Sequence, residues 1–215
     1  MSIEITNVNI EITNVKNVYE KIAAHFDQTR FNVWPCVQHF IDAIPEYTIV
    51  LDVGCGNGKN MYRNDLYFIG SDFCQNFTQI CQTNGKNVLI ANSKCLPIKT
   101  NYIDQVICVA MLHHIYHKND RVRCLEEMYR VLKIGGKLLV TVWAQGDKPQ
   151  QDNMITWKLQ KKHKISDEPD IYERYYHLFS ENELLNLIET YFKDKLKVLQ
   201  YYNDYGNWII TCQKV

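Results

Sequence analysis

No stretch of the chain is apolar for the roughly 20 residues that a membrane span requires; the longest strongly apolar run is VICVAML at 106–112. The N-terminus, MSIEITNVNIEITNV, lacks the basic start and the apolar core ending in small residues that mark a secretory signal. Net charge is missing too. The 24 Lys+Arg balance 24 Asp+Glu, which removes the simplest argument for nucleic acid and leaves only a local basic face. The eight cysteines contain no C-x-x-C, the closest pair, Cys74 and Cys81, being seven apart, so zinc-ribbon and thioredoxin readings fail. Cys55 and Cys108 read as small buried thiols of a reducing compartment, which points to the cytoplasm, with the nucleus as a second location.

What is present suits one globular domain. At about 150 residues per domain, 215 residues make one, and a chain of this size buries roughly 70% of its unfolded surface. Apolar residues at 46% and charged residues at 22% exclude wholesale disorder, collagen-like repeats and coiled coil. Residues 1–215 are therefore read as one domain, with 1–15 a variable N-terminal extension and 145–173 an insertion on the substrate side. The extension carries IEITNV twice, at 3–8 and 10–15, too few copies for a solenoid, and reads as frayed or loosely packed.

Val15, Val18, Tyr19, Ile22 and Phe26 recur at helical spacing and predict an amphipathic helix over 15–28. A second helix is predicted from Trp34-Pro35 to Ile44, where Pro45 ends it. Short apolar runs at 48–53, 66–72, 87–91, 102–112 and 137–143 read as strands, the last entered through Gly135-Gly136, with helices at 73–84 and 118–133. Such alternation indicates βαβ units and a parallel sheet with helices on both faces. AQGDKPQQDN (144–153) reads as loop, and Ser180 to Glu183 as a capping box opening a helix to Phe192. A final antiparallel pair turns at Tyr205-Gly206. The expected fold is α/β and Rossmann-like: a seven-stranded, mostly parallel sheet with one antiparallel strand.

The strongest local signal is LDVGCGNGK (51–59), directly after a strand, where Gly54, Gly56 and Gly58 alternate. Glycines let the backbone turn sharply and come close to a ligand. Dinucleotide enzymes also use such loops, but D-x-G-x-G-x-G is not their G-x-G-x-x-G. The second strand ends in Gly70-Ser71-Asp72, and a carboxylate there can accept hydrogen bonds from both hydroxyls of a ribose. Together these resemble the class I S-adenosylmethionine (SAM) methyltransferases, ahead of a nicotinamide enzyme or a non-catalytic relic. That resemblance implies SAM as cofactor. It gives Asp52 the methionine amino end, Asn92 the adenine amine through its side-chain carbonyl, and Ala110 a backbone carbonyl for the ammonium.

A closer resemblance rests on HFDQTRFNVWP (25–35), IVLDVGCGNGK (49–59), IGSD (69–72), MLHHI (111–115), VTVWA (140–144) and RYYHLF (174–179). These are similar to the tRNA methyltransferases that esterify the carboxymethyl group of wobble uridine, in a stand-alone form of the enzyme that animals fuse to an AlkB-type dioxygenase. The resemblance implies tRNA, esterified at position 34, as substrate. It also implies a heterodimer with a small zinc-binding activator protein, for which the edge strand 87–91 is the expected docking strand. The rivals are a small-molecule carboxyl or phenol methyltransferase and a non-catalytic RNA-binding subunit.

The chemistry assigns further residues. Methyl transfer from a sulfonium needs a nucleophile held near attack distance in a dry site. A carboxylate, with a pKa near ~4, needs no base, but it does need a counter-charge. Arg30 and Arg174 suit that role, because guanidinium grips a carboxylate in a bidentate fork. His113 and His114 follow the fourth strand, where this fold places its reaction centre, and with the two arginines form the catalytic candidates. Phe31, Trp34, Trp143, Tyr175, Tyr176 and His177 are substrate-side candidates, the aromatic rings of Phe31, Trp34, Trp143, Tyr175 and Tyr176 as stacking surfaces for a splayed base. KLQKKHK (158–164) supplies a phosphate-binding patch that includes Lys161 and Lys162. No metal site is expected.

Overall fold

The computed structural model describes residues 8–160 and 170–215. Helix α1 (Val8–Glu11) runs through a π-helical turn (Ile12–Lys16) into α2 (Asn17–Thr29). Residues 8–15 are therefore helical rather than frayed. Glu11 fixes them, accepting from Lys94 Nζ at 2.9 Å and from the Tyr116 N–H at 3.1 Å. Helix α3 (Pro35–Asp42) starts on its proline after an extended Trp34. It stops two residues short of Ile44.

The central strands are β1 (Ile49–Val53), β2 (Tyr67–Asp72), β3 (Val88–Ile90), β4 (Ile103–Val109) and β5 (Leu132–Trp143). Helices α4 (Gln75–Thr83) and α5 (Lys118–Val131) lie between them. β5 begins at Leu132, earlier than the expected Lys137, and its pairing with β4 shifts register between Ile103 and Gln105, opposite the glycine pair. After β6 (Asp152–Lys158) and β7 (Ile171–His177) come α6 (Glu183–Tyr191), β8 (Leu196–Asp204) and β9 (Asn207–Lys214).

Seven strands form one sheet in the order β3-β2-β1-β4-β5-β9-β8. β9 alone runs against its neighbours. The period of two in the buried strands sends Leu51, Val106, Cys108 and Val140 to one face, under α5 and α6. Val50, Ile107, Val109 and Leu139 point to the other, against α3 and α4. The order reverses between β1 and β4. At that switch point the chain ends of β1, β2 and β4 leave a crevice. No helix among the described residues is long and apolar enough to cross a membrane.

Two sequence expectations fail in the insertion and beyond it. Part of the expected loop is strand: β6 and β7 pair antiparallel in a separate two-stranded sheet, from Asp152↔His177 to Lys158↔Ile171. The capping box forms only in half. Glu183 Oε2 accepts the Ser180 N–H at 3.2 Å, but α6 begins at Glu183 behind a left-handed Asn182, and the Ser180 hydroxyl turns to the same carboxylate.

Candidate active site

The glycine loop is built by strand ends. Gly54, Gly56 and Gly58 all take positive φ, at 73°, 54° and 72°. The Gly54 and Cys55 N–H groups donate to the Ser71 carbonyl at 2.7 and 3.0 Å, which lashes the loop to β2. A Cβ on Gly54 would sit 2.3 Å from Met111 Cγ, whereas one on Gly56 would meet only Phe26, at 4.0 Å. The Gly56 backbone thus faces open space.

That space is a cavity of about 270 Å³. The structure brings Gly54, Gly56, Asp72, Asn92 and Ala110 to its wall, and on the same wall places Arg30, Trp34, His113, His114, Trp143 and Arg174. Asp72 accepts the Gly56 N–H and the Cys74 N–H, each at 2.8 Å, and so ties the loop to the start of α4. Burial raises its pKa to about 6 against those two donors. Asn92 Oδ1 accepts the Lys94 N–H at 3.0 Å, so the carbonyl expected to meet adenine also shapes its own turn. Ala110 is held in a left-handed conformation, φ 56°, by its N–H to the Thr141 carbonyl and hydroxyl. Strain of this kind gathers at ligand-binding positions.

Asp52 lies fully buried behind the wall rather than on it, as does Gly58. Asn60 Nδ2 donates to Asp52 Oδ2 at 3.3 Å; Asp52 Oδ1 and Asn60 Oδ1 are buried acceptors with no partner. Burial lifts the Asp52 pKa to about 7, opposed by Asn60 and reinforced by Asp72. Asn60, which lines the cavity, fits the ammonium of SAM with the Asp52 carboxyl behind it, and the Asp72 carboxylate fits its ribose.

These carboxyls make both stability and binding depend on pH. Folded pKa values of about 7 and 6 stand above the ordinary 3.8, so the folded chain holds protons that the unfolded chain has released. The resulting stabilisation is full below about pH 4 and is lost as pH rises through 6 and 7. A cationic ligand selects the ionised pair. SAM binding is therefore expected to tighten from pH 5.5 to 7.5 and to release protons near pH 6.5. Calorimetry in two buffers of different ionisation enthalpy measures that release; identical heats would contradict it.

At the other end of the cavity the groups form one connected set. His114 Nδ1 lies 2.8 Å from the Tyr175 carbonyl, which can only accept, so Nδ1 carries the proton and Nε2 accepts from the Tyr19 hydroxyl at 2.9 Å. With its proton committed, Tyr19 Oη accepts from Arg174 Nη1 at 3.1 Å and from the Tyr176 hydroxyl at 3.3 Å. His113 Nδ1 accepts the Trp143 N–H at 3.2 Å, which leaves its proton on Nε2. Burial drives the His113 pKa well below the ordinary value, helped by His114 and Arg174 nearby. Burial likewise brings His114 down to about 3. Both rings are neutral at pH 7, and neither is a base of useful strength.

Arg174 is 5% exposed and pairs with no carboxylate among the described residues. Its Nε has no partner. The guanidinium lies over the rings of Trp157, Tyr176 and Tyr19, at 4.7, 5.1 and 5.6 Å. Cation–π contact offsets part of its desolvation, yet a buried cation without a counter-ion is a place for an anion. Arg30 is exposed, lies 5.0 Å over the same Trp157 ring and also lines the cavity.

Two substrate-side expectations give way to other roles. The Tyr175 hydroxyl donates to Asp152, and His177 is held between Asp152 at 3.0 Å and Glu183 at 2.7 Å; neither residue reaches the cavity wall. In strand β7 neighbours point to opposite faces, so the face that presents Arg174 presents Tyr176. Tyr176 stacks on Trp143 at 4.5 Å and on His113 at 4.8 Å. Of the two tyrosines, the sequence offers Tyr176 as a stacking surface, and Tyr19 alone goes unrecognised as a site residue. Tyr19 carried only the signal of a core helix position. Lys161 and Lys162 lie outside the described residues.

The strand order, the glycine loop and the acid closing β2 define a class I SAM-dependent methyltransferase, and residues 51–140 match the methyltransferase-domain family. A methyltransferase of Haloferax volcanii, solved in complex with the Trm112 methyltransferase activator, shares the fold. Its TM-score is 0.67 at 17% identity, over 93% of this chain and 97% of that one. The tRNA (carboxymethyluridine(34)-5-O)-methyltransferase of Schizosaccharomyces pombe is 33% identical over 96% of this chain and 100% of its own length. The Arabidopsis thaliana protein of the same name is 43% identical over 69% of this chain, which spans only 36% of that longer relative. The chain belongs to the family of tRNA (carboxymethyluridine(34)-5-O)-methyltransferases.

Proposed function

We propose that this chain methylates the carboxylate of 5-carboxymethyluridine at position 34 of tRNA. The glycine loop and Asp72 would hold SAM, which when bound would supply a methyl group on a sulfonium, left as a neutral thioether with the S–C electron pair once the methyl carbon is bonded to a carboxylate oxygen. The observation that carries this reading is the buried Arg174 beside His113 and His114, a cation that pairs with no carboxylate among the described residues. Arg174 receives the carboxylate, His113 Nε2–H offers it a second donor, and the Tyr176–Trp143 stack gives the uracil an aromatic wall. No group needs to remove a proton, which agrees with two neutral histidines and speaks against a phenol, whose pKa near ~10 would require a base. The test incubates the chain with tritiated SAM and a stem-loop RNA that carries carboxymethyluridine. The expected result is label in an alkali-labile ester of that nucleoside; label elsewhere, or none with RNA still bound, would refute the assignment.

For the partner, we infer that β3 accepts a strand from a small zinc-binding activator protein. Among the described residues β3 has β2 as its one sheet neighbour, and Leu89 and Ile90 are 37% and 59% exposed. An apolar edge of this kind invites a further strand. The Haloferax volcanii relative supports the reading, being a complex with an activator. Ile90→Asp is expected to abolish co-purification with the activator and to leave the melting temperature of the isolated chain unchanged. Undiminished complex formation would remove β3 from the interface.

A further inference from the structure

A second cavity, of about 510 Å³, lies against the first. Trp34 and Trp143 border both, so the partition between them is aromatic. Its far side is the β8–β9 hairpin, with Asp204, Tyr205, Gly206 and Asn207. Lys148 adds a cation at the rim.

Tyr205 is an unexpected residue at that turn. Asp204 pairs with Asn207, so Tyr205-Gly206 is a two-residue hairpin loop with φ of 45° and 76°. Such loops favour Asn or Gly at both positions, since a side chain with a Cβ pays for positive φ. Here a tyrosine holds the first position and is 95% exposed, so packing does not explain it. Asn207 donates through Nδ2 to the Asp204 and Tyr205 carbonyls, which stiffens the tip, and its Oδ1 is buried without a partner. The protein thus holds an aromatic ring in solvent, on a rigid and strained turn, at the edge of a cavity with two tryptophans and an unused acceptor.

A target base that enters the first cavity must leave its strand neighbour at the mouth. The neighbour is covalently tied one nucleotide away, and the aromatic partition is common to both spaces. We propose that the second cavity seats the nucleobase next to the target uridine in the same strand, between the Trp34–Trp143 wall and Tyr205, with Lys148 toward its phosphate. This rests on the RNA reading given above. Rings that stack on any base bind without strong sequence preference, so the site adds affinity for a splayed strand rather than a code.

The test uses stem-loop RNAs that carry carboxymethyluridine, with the 5′ or the 3′ neighbour intact or abasic, and wild-type or Tyr205→Ala protein. Tyr205→Ala is expected to raise KM for the intact RNA about tenfold, with kcat unchanged. Removing one of the neighbouring bases should raise KM for wild type by a similar factor. Combining the two should add nothing further. Tyr205→Phe should keep the wild-type KM. An unchanged KM for Tyr205→Ala, or losses that multiply, would overturn the proposal while leaving the methylation itself intact. Failure of wild-type protein to methylate any of these RNAs would instead sink the RNA reading and this inference with it.

Discussion

Arg174→Met is expected to lower methyl transfer to a carboxymethyluridine stem-loop by about 10²–10³-fold, the worth of a desolvated, bidentate contact to a charged oxygen. SAM affinity should be unchanged, because Arg174 lies at the acceptor end of the cavity. Melting temperature should hold or rise, since the substitution removes a buried cation that no carboxylate among the described residues neutralises. Loss of activity without loss of stability distinguishes a substrate counter-ion from a structural prop. A competitor in which the carboxylate is replaced by its neutral amide sharpens the contrast. Wild type should favour the acid strongly and the variant should not. Arg174→Lys should not restore activity, because the planar group lies over the Trp157 ring at 4.7 Å and an ammonium lacks both the plane and the fork. Near wild-type turnover in Arg174→Met would remove the assigned role.

Asp72→Ala is expected to weaken SAM binding at least about 100-fold, as two or more hydrogen bonds to an ionised acceptor are lost. Part of that loss lies in the loop, where the Gly56 and Cys74 N–H groups would no longer share an acceptor. Titrating SAM and its 2′-deoxy analogue separates the parts. Wild type should distinguish them and Asp72→Ala should bind both equally poorly. Equal affinities for SAM in the two proteins would end the assignment of the ribose to Asp72.

The donor end of this molecule was legible because its signals are local. A glycine loop after one strand and an acid at the end of the next are written within 21 residues, from Asp52 to Asp72, and buried parallel strands announce themselves as apolar runs. The acceptor end is assembled from distant pieces. Tyr19 and Tyr176, 157 residues apart, meet at 3.3 Å, and nothing in the local pattern of either predicts the contact. Strand β6 escaped notice because Asp152, Asn153, Thr156 and Lys158 break up its apolar run and only Trp157 is buried. Without β6, the alternation of β7 had no frame. Arg174, Tyr175, Tyr176 and His177 were all aimed at substrate, although an extended chain cannot turn adjacent side chains to one side. Residues 8–15 suggested looseness through their repeat, whereas Glu11 ties them to Lys94 and Tyr116.

One asymmetry follows from where the cavity draws its walls. The donor-side residues from Asp52 to Ala110 fall inside the segment 51–140 that this chain has in common with methyltransferases at large. Of the acceptor-side residues, His113 and His114 also fall inside it, whereas Tyr19, Arg30, Trp34, Trp143, Arg174 and Tyr176 fall outside. Ancestry is therefore recorded in the middle of the chain and most of its vocation in the flanks. Relatives recruited on the middle alone share a donor but not a target, and swapping flanks between paralogues is the exchange that should carry substrate choice with it.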